Sequence, residues 1–192
     1  MRQLADALGC SPMTPYRYFR NKDAILAAVR AAAFDRFADA MEQSAATTPQ
    51  DLLAMSRALG DAYIRFAFEE PDAYRLMFDV TQPHPERYPE LVRATTRARA
   101  TMSGPFKALV GAGVFSGDPE RLGVVFWATM HGLIVLHFAR KLPPTPDFAT
   151  LQREARQLLV SGARVPLAQR ERAVGSPRQR RPSRPLRSRT PK

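Results

Sequence analysis

The sequence predicts an all-α protein, and three observations carry that prediction. Apolar residues recur at three- and four-residue steps along most of residues 22–161. Capping residues followed by proline punctuate the chain where new helices should begin. No stretch alternates with a period of two, as a half-buried strand would, and no internal repeat is evident.

At the N-terminal end, Leu4, Ala5 and Leu8 fall on one face of a helix of about two turns. Gly9 can end that helix in a positive-φ conformation without a Cβ penalty. Ser11 suits an N-cap and Pro12 a first helical position, so a second short helix can start within three residues. Two short helices about a tight turn make a helix–turn–helix, whose second helix can enter a DNA major groove. Tyr16, Arg17, Tyr18 and Phe19 follow one another, so they cannot all face a core. Phe19 can pack inward, and at least one of Tyr16 and Tyr18 must offer its hydroxyl outward, within reach of a phosphate oxygen. Asn21-Lys22-Asp23 opens the next helix, where free N–H groups, the helix dipole and Lys22 all favour an anion.

The remaining elements follow in order. Residues 22 to about 46 form a long amphipathic helix marked by Ile25, Leu26, Val29, Ala33, Phe37 and Met41. Thr47-Thr48-Pro49 is a break and cap, with Pro49 at the first position of a helix running to about residue 69. Pro71 restarts the chain, and Tyr74, Met77 and Phe78 mark a short aromatic helix. Residues 81–89 carry three prolines and His84 and read as a loop. A helix over about 89–110 has a candidate kink at Gly104-Pro105, and 111–117 is a glycine-rich connection. Asp118-Pro119 caps the most apolar helix, about 120–141, which Pro143, Pro144 and Pro146 end. The last helix covers about 147–161.

Composition narrows the function. A chain of 192 residues with 45% hydrophobic content can bury a sizeable core. Cys10 is the single cysteine, so an intrachain disulfide and a four-thiolate metal site are excluded. It reads as a small apolar turn residue. The three histidines, His84, His131 and His137, have no paired acidic cluster beside them, so neither metal nor cofactor is expected. No Ser/His/Asp, Cys/His or carboxylate pair stands in a suggestive context, so the chain is not expected to be an enzyme. No signal peptide follows Met1, and a cytoplasmic location is expected.

The net charge of +11 is unevenly distributed. Residues 164–192 hold ten basic side chains and one acidic one, a balance of +9, leaving +2 for residues 1–163. That Arg/Pro/Ser-rich tail has too little apolar surface to offset ordering entropy and is expected to be disordered. It either attracts DNA or another polyanion without sequence preference, or is a tolerated extension. The run VVFWATMHGLIVLHFA, residues 124–139, is 16 residues long. That falls short of the roughly 20 a bilayer span needs, and His131 and His137 would be costly in lipid. No membrane partner is expected, and a helix apolar on nearly every side is instead buried on two faces.

The stretch LADALGCSPMTPYRYFRNKDAIL resembles the DNA-binding segment of the TetR family of bacterial transcriptional repressors. Leu4, Ala5, Gly9, Ser11, Thr14, Tyr16, Tyr18, Phe19 and Lys22 match that family's pattern in order and spacing. Further on, Trp127, His131 and Gly132 match the W-x-x-x-H-G signature of one TetR C-terminal type, and FEEPDAYRLMF resembles that type's aromatic helix. Together the resemblance covers nearly all of residues 1–163.

The resemblance implies that Thr14, Tyr16, Tyr18 and Lys22 contact DNA phosphates, and that Pro12, Met13, Thr14 and Arg17 meet base edges. Two departures qualify it. Pro15 stands where the family usually has Leu or Ile, so the recognition helix should start late, with Thr14 capping and Pro15 first. Family members also carry a further helix before the position of Met1, covering the Leu4/Leu8 face. The expectation is a true start upstream of Met1. The alternative is a truncated head, leaving a dimeric ligand-binding or interaction module that no longer binds DNA.

The resemblance also implies a homodimer through the last two helices, about 120–141 and 147–161, with Gly132 permitting close helix approach. A two-fold dimer presents two heads to a double-stranded, palindromic operator. It implies a small-molecule effector pocket too, with Tyr63, Phe66, Tyr74, Met77, Phe78, Met102, Phe106, Trp127, Met130 and His131 as candidate lining. Any one of these can equally be core, and His131 reads more simply as a satisfied core or interface histidine. As a group they suit an apolar or aromatic ligand with a few polar anchors. The expected organisation is a helix–turn–helix head with linking helix over 1–46, a ligand-binding and dimerisation bundle over 47–163, and a tail over 164–192. The expected function is a repressor released from operator DNA by its ligand.

Overall fold

A computed structural model of the chain describes Asp6 and residues 9–11, 13–48, 51–78 and 85–164. The expected first-helix residues Leu4, Ala5 and Leu8, together with Pro12, His84 and the tail beyond Arg164, lie outside the described residues. Six α-helices and two 3-10 turns, Thr14–Arg17 and Pro85–Arg87, make up the regular structure among those described. In order, the helices are α1 (Lys22–Thr47), α2 (Leu52–Glu69), α3 (Pro71–Met77), α4 (Pro89–Gly111), α5 (Pro119–Phe138) and α6 (Phe148–Ala163). The all-α expectation holds.

Each start has a local cause. Asn21 caps α1 by accepting the Ala24 N–H at 2.9 Å, and Asp118 and Asp147 cap α5 and α6 through Arg121 and Thr150, each at 2.8 Å. Helix α2 corrects the sequence reading. It begins at Leu52 rather than Pro49, because Asp51 is the capping side chain, accepting the Leu53 N–H at 2.9 Å. Helix α5 also ends earlier than expected. Arg140 adopts φ 53°, and the Lys141 N–H returns to the Leu136 carbonyl, closing the helix at Phe138. Pro105 lies inside α4 without ending it.

Helix α1 is the axis of the body, packing chiefly on α4 and α2, while α5 lies between α4 and α6. Its Phe37 is almost fully buried, and its ring meets those of Tyr63 and Phe66 edge-on at 5.6 and 5.3 Å. Such pairs add about 0.5–1.5 kcal/mol each beyond the area they bury. Around them lie Met41, Leu59, Tyr74, Met77, Leu91 and Ile134. A smaller cluster of Phe106, Leu109, Phe115 and Ala163 closes the far end of α4. There the Ser116 N–H donates to the Ala163 carbonyl at 2.8 Å, fastening the end of α6 to the connection before α5.

Charges seam the outside of α1 to α4. Arg93 pairs with Asp35 at 2.7 Å and Arg97 with Asp39 at 2.6 Å, and Arg97 also reaches Glu42. Arg36 pairs with Glu70 at the end of α2 at 2.7 Å. Exposed pairs are worth little singly, and here they form a network along one edge. The two arginines hold the Asp35 carboxyl below the usual carboxylate range, Arg93 most of all through its hydrogen bonds.

Helix α5 spans 20 residues, four more than the apolar run read from the sequence, so by length and composition it could cross a membrane. Its inner face is nonetheless committed to the protein, with Ile134 and Met130 in the core and His131 hydrogen-bonded to Tyr74.

Candidate functional site

Two regions gather the residues singled out above. The first is the surface built from residues 9–23. Gly9 has φ 62°, as a helix-ending glycine should. The Ser11 hydroxyl accepts the Met13 N–H at 3.3 Å, and the Ser11 carbonyl accepts the Thr14 N–H at 2.9 Å. The recognition segment departs from the expected helix: it is a four-residue 3-10 turn, Thr14–Arg17. Met13 precedes it without a side-chain cap, Thr14 is its first residue and Pro15 its second. Proline in a first turn costs no hydrogen bond and holds φ in the range such a turn uses, so Pro15 is compatible with the start of this turn. The Pro15 carbonyl then accepts both the Tyr18 and Phe19 N–H groups, at 3.1 and 3.0 Å.

This geometry sorts the candidate DNA contacts. Met13 and Tyr18 are open to solvent, 68% and 80% exposed, with Arg17 and Lys22 exposed beside them. Tyr16 and Thr14 are half-buried, as is Phe19. Of the two tyrosines it is therefore Tyr18 that turns fully outward.

The second region is a cavity of about 460 Å³ bounded by α1, α2, α4, α5 and α6. Its volume is typical of small-molecule sites. Tyr63, Met102, Phe106, Trp127 and Met130 line it, with Met41, Leu59, Phe126 and Val160. Gly123 brings α5 close to α4: a Cβ there would lie 3.5 Å from the Phe106 ring and 3.7 Å from the Ser103 Cα. Close approach within the chain thus occurs at Gly123, whereas a Cβ on Gly132 would meet nothing within 4 Å. Tyr74, Phe78 and His131 line a separate, more open cleft instead. Phe66 and Met77 belong to the core and line neither.

A chain of hydrogen bonds joins the cavity to that cleft. The Trp127 Nε1–H donates to the Tyr63 hydroxyl at 3.0 Å. The Tyr63 and Tyr74 hydroxyls are 2.7 Å apart, and Tyr74 lies 2.6 Å from His131 Nδ1. One direction uses every hydrogen once: Trp127 to Tyr63, Tyr63 to Tyr74, Tyr74 to Nδ1. It assigns His131 the tautomer protonated at Nε2. Burial holds His131 below its ordinary value and pushes the Tyr63 phenol up to about 12. Tyr74 is raised further, by burial first and then by Tyr63 beside it. All three are neutral at pH 7, and His131 is a satisfied histidine on its Nδ1 side. Among the described residues, no group of three or more His, Cys, Asp or Glu could hold a metal ion.

Sequence reasoning missed the polar part of the cavity. Arg57 on α2, Arg153, Arg156 and Gln157 on α6, and Arg164 just beyond it all line the opening. Their signal was weak, because α2 and α6 lie far apart in sequence and each arginine alone resembles an ordinary solvated face.

The chain matches the family described as "Tetracyclin repressor-like, C-terminal domain" over residues 56–159, more than half its length. No curated protein matches the sequence. Among solved structures it resembles a protein of unknown function from Rhodococcus sp. RHA1, with TM-score 0.73, 26% identity, and coverage of 85% of this chain and 84% of that one. It also resembles the putative regulatory protein SCO4313, with TM-score 0.65 and 20% identity over 83% of this chain and 84% of that one. A third likeness is to PfmR, a TetR family transcriptional regulator from Thermus thermophilus, with TM-score 0.63 and 21% identity over 82% of this chain and 85% of that one. At those identities the last two likenesses speak to the fold alone. The W-x-x-x-H-G residues fall inside the matched span, which runs from within α2 to within α6 and so takes in most of the cavity wall, with Met41 of α1 outside it. The chain belongs to the TetR family of transcriptional regulators.

Proposed function

We propose that this protein is a cytoplasmic, DNA-binding repressor that acts as a homodimer and leaves its operator when a small molecule fills the cavity. One observation carries the reading. Helix α1 begins at Lys22, in the head, and the same helix carries Met41, which lines the cavity. Nineteen residues of helix span about 28 Å at 1.5 Å per residue. Anything that displaces Met41 therefore acts on the head through one rigid rod, which the Arg93 and Arg97 pairs tie to α4.

The dimer is supported by an unpartnered apolar face. Val124, Val125, Ala128, Val135 and Leu136 are all exposed on α5, and Leu158 on α6 is 74% exposed. An exposed apolar stripe of that extent marks an interaction surface, and the open space at Gly132 lies on the same side. Two copies joined there would carry two heads, matching a two-fold operator. No catalytic role is proposed.

A second reading has its own support. The four-residue recognition turn is shorter than a groove-reading helix, which favours a dimeric ligand-binding module whose head does not hold DNA. Gel shift against the DNA flanking the gene separates the two. The repressor reading expects a discrete complex that Lys22→Ala weakens on every sequence alike, since a lost phosphate contact carries no sequence information. Absence of any discrete complex overturns it in favour of the module.

A further inference from the structure

We infer that the cavity's ligand carries an anionic head group on an apolar body, with the head held by the arginines at the opening. The inference rests on the reading of this cavity as an effector site and adds the chemistry of the ligand. The inner wall is apolar and aromatic, from Met41 and Leu59 to Phe126 and Trp127. The opening is basic: Arg57, Arg153, Arg156 and Arg164 all line it, and no Asp or Glu does.

Carboxylates answer only two of them. Arg156, whose side chain is 20% exposed, pairs with Asp61 beside the opening. Arg153 donates to the Thr150 hydroxyl at 3.0 Å. The nearby Asp147 carboxyl is held below the usual range by its hydrogen bonds from Thr150 and, after them, by the charge of Arg153. Asp61 and Asp147 thus serve Arg156 and Arg153, and the guanidinium groups of Arg57 and Arg164 have no carboxylate among the described residues.

These arginines also sit on fixed backbone. Arg57, Arg153 and Arg156 are on helices, and Arg164 follows the Ala163 carbonyl that the Ser116 N–H holds. A wholly apolar occupant would cover the opening and strip water from these cations without returning a partner, which is costly. A carboxylate or phosphate would instead receive bidentate, charge-assisted hydrogen bonds from planar guanidinium groups. The body then lies inward against Trp127 and Met130.

Trp127 is the only tryptophan in the chain, so its emission reports the cavity directly. The full-length chain is titrated at low salt with decanoate, decyl phosphate and decanol, which share one tail and differ in head. Both anions should bind about tenfold or more tighter than decanol, the scale of a charge-assisted hydrogen-bond pair. The preference should shrink as salt is added. Arg153 and Arg156 already answer carboxylates, so the head falls to Arg57 and Arg164. The double variant Arg57→Gln with Arg164→Gln should therefore bring the anions to within about threefold of decanol as the charge-assisted bonds are lost. Lysine at both positions should restore part of the difference. The stronger of the two anions identifies the head as carboxylate or phosphate.

Equal binding of decanol and both anions to the natural chain would overturn the anionic head while leaving the effector site standing. An anion preference that survives the double glutamine variant would overturn the assignment of the head to Arg57 and Arg164. If no probe, charged or neutral, changes Trp127 emission, the effector-site reading itself falls.

Discussion

Along α5, Met130 and Ile134 turn into the core and Trp127 and His131 toward the cavities, while Val124, Val125, Val135 and Leu136 turn out to solvent. In the sequence the two faces look alike, since both are apolar at nearly every step. In the fold they differ in kind. The inner face is completed by its own chain, down to hydrogen bonds on His131 and Trp127. The outer face is left open, with Val124 57% exposed. A helix apolar all round is the expected signature of two separate burials, one inside the chain and one against another surface. The difference also explains why Gly123 and Gly132 play different parts. The first is closed over by Phe106, and the second has nothing in front of it.

The largest expected effect lies on the open face. Val125→Glu combined with Leu136→Glu should convert a dimer to monomer in analytical ultracentrifugation. Burying unpaired charge costs about 3–5 kcal/mol, so dissociation should strengthen by roughly a thousandfold. Because both residues are exposed in the single chain, thermal stability at low concentration should change little. An unchanged mass with a lowered melting temperature would mean that the outer face is not an interface.

The inner face should show the opposite pattern. Ile134 is completely buried, and Ile134→Ala should cost about 2–5 kcal/mol in denaturant melts through lost contacts and the cavity left behind. A small loss there, with the dimer disrupted instead, would reverse the roles assigned to the two faces.

How much of this could be read from the sequence depends on whether the cause was local. Helix α1 was legible to within a residue at either end, because Asn21 and the Phe37/Met41 spacing act over one or two turns. The start of α2 was misread because Pro49 and Asp51 both suit a helix start, and the capping bond to Leu53 decides between them. The recognition turn was legible in place but not in kind: Pro15 implies a late helix start, yet only the turn Thr14–Arg17 forms, its Pro15 carbonyl shared by the Tyr18 and Phe19 N–H groups. The aromatic lining was half legible. Tyr63 and Trp127 reach the cavity, while Phe66, which meets the Phe37 ring as Tyr63 does, lies wholly in the core. The arginines of the opening were not legible, since only tertiary packing brings α2 and α6 together.

The smallest effect falls on the hydrogen-bond chain that joins the two regions of the inner face. Tyr74→Phe removes the short bonds to Tyr63 and His131 without opening a cavity, leaving between those two only the direct 3.5 Å contact of the Tyr63 hydroxyl with His131 Nδ1. The cost should be about 0.5–1.5 kcal/mol, that of a hydrogen bond lost where a longer one remains. Its pH dependence follows from the shifts. His131 is held below its ordinary value, so on acidification the unfolded chain takes up a proton first. Stability from this site is therefore present above about 6.5 and lost as pH falls toward the folded value. The Tyr63 phenol is raised to about 12, so on alkalinisation the unfolded chain loses its proton first. Stability is then lost from about pH 10 upward. A stability plateau bounded near those two values, with the acid limb removed by His131→Gln, would identify the network as a neutral one. An acid limb unchanged by His131→Gln would mean that carboxylates such as Asp35 govern it, and would detach His131 from the stability of the inner face.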